Sequence, residues 1–298
     1  MNVAAVDIGT NSVRLLITDP RGEPLERHMV ITRLGQGVDV HGALHPDAIA
    51  RTVAVLTQYG ELITRHGVTR VRAAATSAAR DAHNRDAFFD AAEGALGARP
   101  ELLAGEEEAR LSFQGATVGL DPADGPFLIV DIGGGSTELV LGSTAPEALI
   151  SVDMGCVRMT ERHLKHDPPL PEELAACVVE VHERLVEVRR IVPVERTRRM
   201  IGLAGTINAL AHLSLGLRSY SPEQTHHALL GRERVTQLFL QLAAVDVATR
   251  RGLLAEPKSA EVIVGGAVVL HTLLCELDIR ELMVSESDIL DGLAASLR

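Results

Sequence analysis

The sequence predicts an α/β protein of two domains with mixed sheets flanked by helices. Two features of the chain's pattern give the class: short apolar runs alternate with helical stretches through both halves of the 298 residues, and hairpins interrupt the alternation, which makes the sheets mixed rather than wholly parallel. A third gives the domain count. The hairpin Val3-Ala-Ala-Val-Asp-Ile-Gly-Thr-Asn-Ser-Val-Arg-Leu-Leu-Ile17 can be laid on Phe127-Leu-Ile-Val-Asp-Ile-Gly-Gly-Gly-Ser-Thr-Glu-Leu-Val-Leu-Gly142 with a constant offset of 124 (131 − 7). Val6/Val130, Asp7/Asp131, Ile8/Ile132, Gly9/Gly133, Ser12/Ser136 and Leu15/Leu139 coincide. Two copies of one design predict two similar domains facing each other across a cleft.

After the first hairpin, residues 33–39 read as a Gly-punctuated edge segment of the first sheet. A helix follows over 45–66, a short strand over 71–75, and Thr76-Ser77 as caps of a helical turn through Arg80. Then come a helix over 84–97, a strand over 100–104 and a helix from Glu106 to about Val118. The turn-rich run 121–126 lies between the two hairpins, so the boundary is placed there, with domains 1–124 and 125–298 and the last helix able to pack back on the first. In the second half, strands read over 148–152, 199–203 and 281–285, with helices over 172–191, after Thr206, over 235–247, 260–277 and 288–297.

Composition excludes several classes. A balance of 29 basic against 40 acidic residues, net −11, works against general nucleic-acid binding, and 7 aromatics (2 Tyr, 5 Phe, no Trp) leave no stacking platform for single strands. No apolar run approaches the roughly 20 residues of a membrane span and no basic leader opens the chain, so a soluble, cytoplasmic protein is expected. Cys156, Cys177 and Cys275 are too few and too scattered for a disulfide framework or a zinc site and read as small buried hydrophobes.

The chemistry concentrates at the turns. Glycines without Cβ let backbone N–H groups converge on an anion, and a carboxylate at the strand end can hold a cation against it. An ordinary Asp-Gly hairpin turn is the competing reading, but such a turn needs neither three glycines nor an acid at the same place twice. A strand ending in Gly205-Thr206 and opening a helix adds a third candidate phosphate turn, although the pair alone is a common cap. Acids at Glu106, Glu107 and Glu108 would, by position alone, only favour a helix N-terminus.

Taken together, Asp7-Ile-Gly-Thr-Asn-Ser12, Ala104-Gly-Glu-Glu-Glu-Ala-Arg-Leu111, Val130-Asp-Ile-Gly-Gly-Gly-Ser-Thr-Glu-Leu139, Met154-Gly-Cys-Val-Arg158 and Ala204-Gly-Thr-Ile207 resemble the exopolyphosphatase and guanosine pentaphosphate phosphohydrolase family. The resemblance runs to Ser285-Glu-Ser-Asp-Ile-Leu-Asp-Gly292, essentially the whole chain. It implies two domains of the actin-like ATPase (ribonuclease H-like) type. The implied reaction is removal of the terminal phosphate from inorganic polyphosphate, with Mg2+ or Mn2+, and with a monovalent cation such as K+ as a further possibility. Glu108 becomes the catalytic carboxylate, Asp131 and Glu138 the metal candidates, and Asp7 a contributor through water. Phosphate oxygens fall to Gly9, Thr10, Asn11, Ser12, Gly133, Gly134, Gly135, Ser136, Gly205 and Thr206. Contacts are also suggested at Arg14, Thr76, Arg80 and Arg158, a solvated surface position standing beside that reading for the arginines. The chemistry is consistent: transfer of a phosphoryl group to water needs a carboxylate to orient the water and donors or a metal to stabilise equatorial charge.

Guanosine pentaphosphate or another nucleotide is the second substrate class, and a kinase or nucleotide-switched protein of the actin-like superfamily the further alternatives. A homodimer is expected from the resemblance. The chain ends where longer relatives carry a further helical region, so short polyphosphate is the expected preference. The five arginines between 189 and 199 read as a wet helix end rather than a polyphosphate track, and His163, His166, His226 and His227 as surface residues rather than ligands.

Overall fold

Each copy of the repeated hairpin becomes the centre of a sheet, because its first strand is apolar but for one aspartate near its end and needs cover on both faces. The computed structural model describes all 298 residues and divides them into two units, Met1–Gly115 with Ile289–Arg298, and Ala116–Asp288. No helix is long and apolar enough to cross a membrane.

The first unit contains β1 (Val3–Ile8), β2 (Ser12–Thr18), β3 (Pro24–Ile31), α1 (Val38–His41), α2 (Pro46–Arg65), β4 (Arg70–Ala75), α3 (Ser77–Asp81), α4 (Arg85–Leu96), β5 (Glu101–Leu102) and α5 (Gly105–Ala116). Its sheet runs β3-β2-β1-β4-β5, with β2 antiparallel to its neighbours and β4 and β5 parallel to β1. All six residues of β1 are buried. One face packs Val6, Ile8, Leu15 and Ile17 on α2 and α4 through Leu56, Tyr59, Phe88 and Phe89. The other packs Ala5, Leu16 and Ala74 against Leu111 of α5 and the chain's last helix.

The second unit contains β6 (Phe127–Ile132), β7 (Thr137–Gly142), β8 (Pro146–Val152), α6 (Cys156–His163), α7 (Pro171–Ile191), β9 (Arg199–Leu203), α8 (Ala204–Ser214), α9 (Pro222–Thr225), β10 (Leu229–Gly231), α10 (Arg232–Ala243), α11 (Val247–Leu253), α12 (Ile263–Glu276) and β11 (Glu281–Val284). The sheet order is β10-β11-β9-β6-β7-β8, mixed as in the first unit. Helix α12 is buried along most of its length, and its Gly265 and Gly266 let Thr160 and Cys156 of α6 and Thr206 of α8 approach its backbone. Helix α13 (Ile289–Ala295) belongs to the first unit, where Gly292 lies so close to Leu111 that an added Cβ would stand 2.2 Å from its carbonyl oxygen.

The two-unit, mixed-sheet α/β class stands, and several elements differ from expectation. Residues 33–39 form a loop and the one-turn α1, bracketed by Gly37 and Gly42 at positive φ (75° and 63°), while the true edge is β3. The expected 235–247 helix is interrupted after Ala243 because Asp246 accepts from the Thr249 amide and starts α11. Strand β5 spans two residues of the expected five. Met154–Arg158, carried in the sequence only as a motif, enters a true helix at Cys156. Cys275 is exposed, unlike the buried Cys156 and Cys177, whose thiols burial pushes up to about 11 and about 12.

Candidate functional site

In the second unit the repeated hairpin carries its two acids to one place. Asp131 and Glu138 are direct partners across β6 and β7, so the seven-residue separation in sequence closes to neighbouring positions on one face of the sheet. Both are buried, at 6% and 1% exposure. Ser151, opposite Glu138 on β8, donates its hydroxyl to Glu138 Oε1 at 2.7 Å. Like charges directly opposite in a sheet repel, which is the arrangement a cation relieves. No group of three or more His, Cys, Asp or Glu side chains is placed to hold a metal. Two carboxylates suffice for Mg2+, which keeps much of its shell for water and phosphate, so the pair fits the implied ion.

The turn between these acids is oriented from behind. Gly133 N–H donates to Ser136 O at 3.0 Å and closes it. The three glycine carbonyls face α6: Cys156 N–H donates to Gly133 O (2.9 Å), Val157 and Arg158 N–H to Gly134 O (2.8 and 3.2 Å), and Gly155 N–H to Gly135 O (3.1 Å). A trans peptide points its N–H opposite to its C=O, so the amides of Gly134, Gly135 and Ser136 face the other way. The N–H groups of Gly134 and Gly135 have no acceptor in the chain, though Gly135 is buried. An unpaired buried donor costs about 1–3 kcal/mol, and an anion would satisfy it. None of the three glycines adopts a positive φ. What requires the absence of side chains here is close approach: a Cβ on Gly155 would stand 2.3 Å from the carbonyl carbon of Gly134.

In the first unit the same turn is held by different residues. Gly9 N–H donates to Ser12 O (2.9 Å), Gly35 N–H to Thr10 O (2.8 Å), and Thr32 and Arg33 N–H to Asn11 O (3.1 and 2.9 Å). The amides of Asn11 and Ser12 are thereby turned outward. The Thr10 hydroxyl is engaged inward, accepting from Ala78 N–H at 3.1 Å at the start of α3. Arg14, opposite Asp7 in the register, directs Nε and Nη2 to Asp7 Oδ2 at 2.9 and 2.7 Å. Asp7, expected near a metal, and Arg14, expected on phosphate or in solvent, are thus ion-paired with each other.

Helix α5 spreads its three acids over different faces, since successive residues rotate by about 100°. Glu106 is exposed, Glu107 half-buried with Arg72 at 3.8 Å, and Glu108 buried at 9% exposure. Arg80 on α3 donates Nη1 to Glu108 Oε2 at 2.6 Å and to Leu103 O at 3.0 Å, tying the Glu108 carboxylate to the end of β5. Thr76, buried, receives the Ala79 and Arg80 amides on its carbonyl and donates its own N–H to Ile8 O. Asp7, the Gly9–Ser12 turn, Thr76, Arg80 and Glu108 therefore gather at the C-terminal ends of β1, β4 and β5.

In the second unit α8 starts at the end of β9, beside β6, where Leu203 is the register partner of Asp131. The residue in the left-handed region is Ala204 (φ 72°), not Gly205, at which an added Cβ would meet open space. The Thr206 side chain is turned away from solvent onto Gly266 and Cys156, so any anion contact at the first turn of α8 would fall to its backbone N–H. Arg158 is buried at 8% exposure and gives Nε to Gly135 O at 2.7 Å; it grips the turn from behind rather than reaching solvent. Gly35 and Gly155 bring the clamping segments onto the two turns; in sequence Gly35 read only as punctuation of an edge segment and Gly155 only as part of the Met154–Arg158 motif, with no clamping role for either. Arg189, Arg196 and Arg199 pair at the surface with Glu276, Glu147 and Asp124, and exposed His166 pairs with Glu173, whereas His163, expected at the surface, lies half-buried against Glu180. His226 and His227 are exposed and stack on one another at 3.8 Å.

The chain matches the Ppx/GppA phosphatase family over residues 18–297. It is 46% identical over 312 aligned positions to Exopolyphosphatase 2 of Mycobacterium tuberculosis, an alignment covering 99% of this chain and 98% of that protein. Among solved structures, an exopolyphosphatase-like protein superposes with a TM-score of 0.95 at 35% identity, covering 99% of this chain and 98% of that one. An Aquifex aeolicus member of the Ppx/GppA family superposes at 0.81 and 31% identity, covering 99% and 97%. An exopolyphosphatase from Cytophaga hutchinsonii gives 0.91 at 25% identity, covering 100% and 99%.

Proposed function

The chain belongs to the Ppx/GppA phosphatase family, and from that premise we propose that it is an exopolyphosphatase, hydrolysing terminal orthophosphate from inorganic polyphosphate by in-line attack of water. The observation that carries the reading is the glycine turn of the second unit, whose outward amides stand between two buried carboxylates paired across one hairpin. Such amides bind the oxygens of a phosphate tail and stabilise the charge that grows on them in the transition state.

Glu108 orients the attacking water and takes its proton; Arg80 fixes its rotamer through Oε2. The amides of Gly134, Gly135 and Ser136, with the first turn of α8 at Gly205-Thr206, hold phosphate oxygens, as do the amides of Asn11 and Ser12 in the first unit. Asp131 and Glu138 would hold Mg2+ or Mn2+, which when bound supplies positive charge to the phosphate oxygens. Asp7 is assigned to Arg14 rather than to the ion. A K+ requirement, the preference for short polymers, the homodimer and a cytoplasmic location belong to the same proposal and are read by salt titration, chain-length profiling, light scattering and fractionation.

The test is release of phosphate from polymers of defined length by wild type beside Glu108→Gln, with guanosine pentaphosphate as the competing substrate. The reading expects kcat on polyphosphate to fall by roughly 10²–10⁴ in the variant with its melting temperature preserved. A wild type that released phosphate from guanosine pentaphosphate and not from polyphosphate would replace the substrate; a fully active Glu108→Gln would remove the carboxylate from the mechanism.

A further inference from the structure

Arg158 is a buried arginine, 8% exposed on the first turn of α6, with Asp153 at 3.7 Å among its partners. Burying a guanidinium carries a desolvation penalty of several kcal/mol unless hydrogen bonds compensate, so the place where those bonds go is informative. Its Nε donates to Gly135 O at 2.7 Å while its own backbone N–H donates to Gly134 O at 3.2 Å. The same residue therefore grips two successive peptide planes of the turn, one by side chain and one by main chain.

We infer that Arg158 is a positioning residue for phosphate recognition: by holding the Gly134 and Gly135 carbonyls toward α6, it keeps the Gly135 and Ser136 amides turned outward to bind a phosphate oxygen. Three glycines in a row form the most freely rotating stretch of backbone a chain can contain, so the amides need an external hold to be preorganised. The Gly134 carbonyl has two donors, Val157 N–H and Arg158 N–H; the Gly135 carbonyl has Gly155 N–H at 3.1 Å and the shorter, charge-assisted Arg158 bond. Removing the guanidinium leaves the Gly135–Ser136 plane the less restrained of the two. Donors that must be ordered on binding cost affinity, and preorganised ones do not. The first unit has no counterpart, since its turn is held by backbone amides of residues 32–35 and its arginine is spent on Asp7.

The inference rests on the anion-binding reading of the turn, and its test separates the two. Wild type, Arg158→Met and Arg158→Lys are compared for kcat and KM on polyphosphate and, without turnover, for binding of inorganic tripolyphosphate by calorimetry, with melting temperature as the control for folding. Arg158→Met is expected to raise KM and the tripolyphosphate dissociation constant in parallel by about tenfold, with kcat falling less. Arg158→Lys, which keeps one charged donor, should recover a substantial part of the binding in a protein of wild-type melting temperature. Folded variants with unchanged tripolyphosphate binding would overturn the positioning role whatever the wild type hydrolyses. If instead the variants lose binding while wild type releases no phosphate from polyphosphate, the proposed activity falls and the positioning role stands.

Discussion

The two hairpins share strands, turn and first acid, and differ at one decisive partner. Position 14 lies 124 before position 138, so the first hairpin sets Arg14 where the second sets Glu138. In the first, Asp7 meets a guanidinium and its charge is neutralised within the chain. In the second, Asp131 meets another carboxylate, so two negative charges stand side by side on one face of the sheet. The same backbone thus presents once an ion pair and once a pair of carboxylates, and a single side chain makes the difference.

Removing the special partner in each hairpin should therefore act in opposite directions. Glu138→Gln is expected to lower kcat by at least roughly 10², because the site loses a charge that would hold the proposed ion, while raising metal-free stability by up to about 1 kcal/mol through relief of a like-charge pair. Arg14→Met is expected to destabilise by roughly 2–4 kcal/mol, since it strands the Asp7 carboxylate, whose side chain is 5% exposed, without its cation. Urea unfolding and steady-state kinetics on both variants check this, and a Glu138→Gln that loses stability along with activity would break the contrast.

The clamps behind the turns sharpen the comparison. An added Cβ at Gly155 meets backbone, the carbonyl carbon of Gly134 at 2.3 Å, whereas one at Gly35 meets the Thr10 methyl at 2.3 Å. Both alanine variants should lose about 1–3 kcal/mol. Thr10→Ser, which deletes that methyl, should restore part of Gly35→Ala, and no single side-chain change should restore Gly155→Ala. Thermal unfolding of the single and double variants reads the difference.

The smallest effect is pH-dependent and belongs to α12, which supports α6. Burial depresses the His271 pKa below its ordinary 6.5, and the ring stacks on Phe239. A depressed folded-state value means the unfolded chain takes the proton first, so its stabilisation is complete above about pH 6.5 and is lost as pH falls through the folded pKa. Wild type should lose up to about 1 kcal/mol more than His271→Gln between pH 7.5 and 5.5, a half-buried ring being partly screened. Equal losses would show that this histidine does not carry the effect.

Much of this was legible in sequence because the hairpin is local: its apolar strands, its glycines and its acids lie within sixteen residues, and repetition marked them. Glu108 could be singled out by resemblance, and burial separates it from Glu106 and Glu107 only once α5 has a packed face. The meeting of Asp131 with Glu138 needed a two-strand register, and the parallel position of Arg14 became meaningful only with it. The clamps at Gly35 and Gly155 were illegible since they act through hydrogen bonds to residues some 20 positions away, and glycine before a helix is common. Strand β3 was missed because an exposed edge, Pro24-Leu-Glu-Arg-His-Met-Val-Ile31, carries a mixed and partly charged pattern. The helix break at 244–246 had its signal in Asp246, a good N-cap that was read through.

The most direct measurement is Mn2+ binding, followed by electron paramagnetic resonance in the presence of inorganic tripolyphosphate, for wild type, Asp7→Asn, Asp131→Asn and Glu138→Gln. Loss of about tenfold or more in affinity is predicted for the two second-hairpin variants, with Asp7→Asn close to wild type. Wild-type binding by Glu138→Gln, or a loss confined to Asp7→Asn, would contradict the assignment of the proposed ion to the second hairpin.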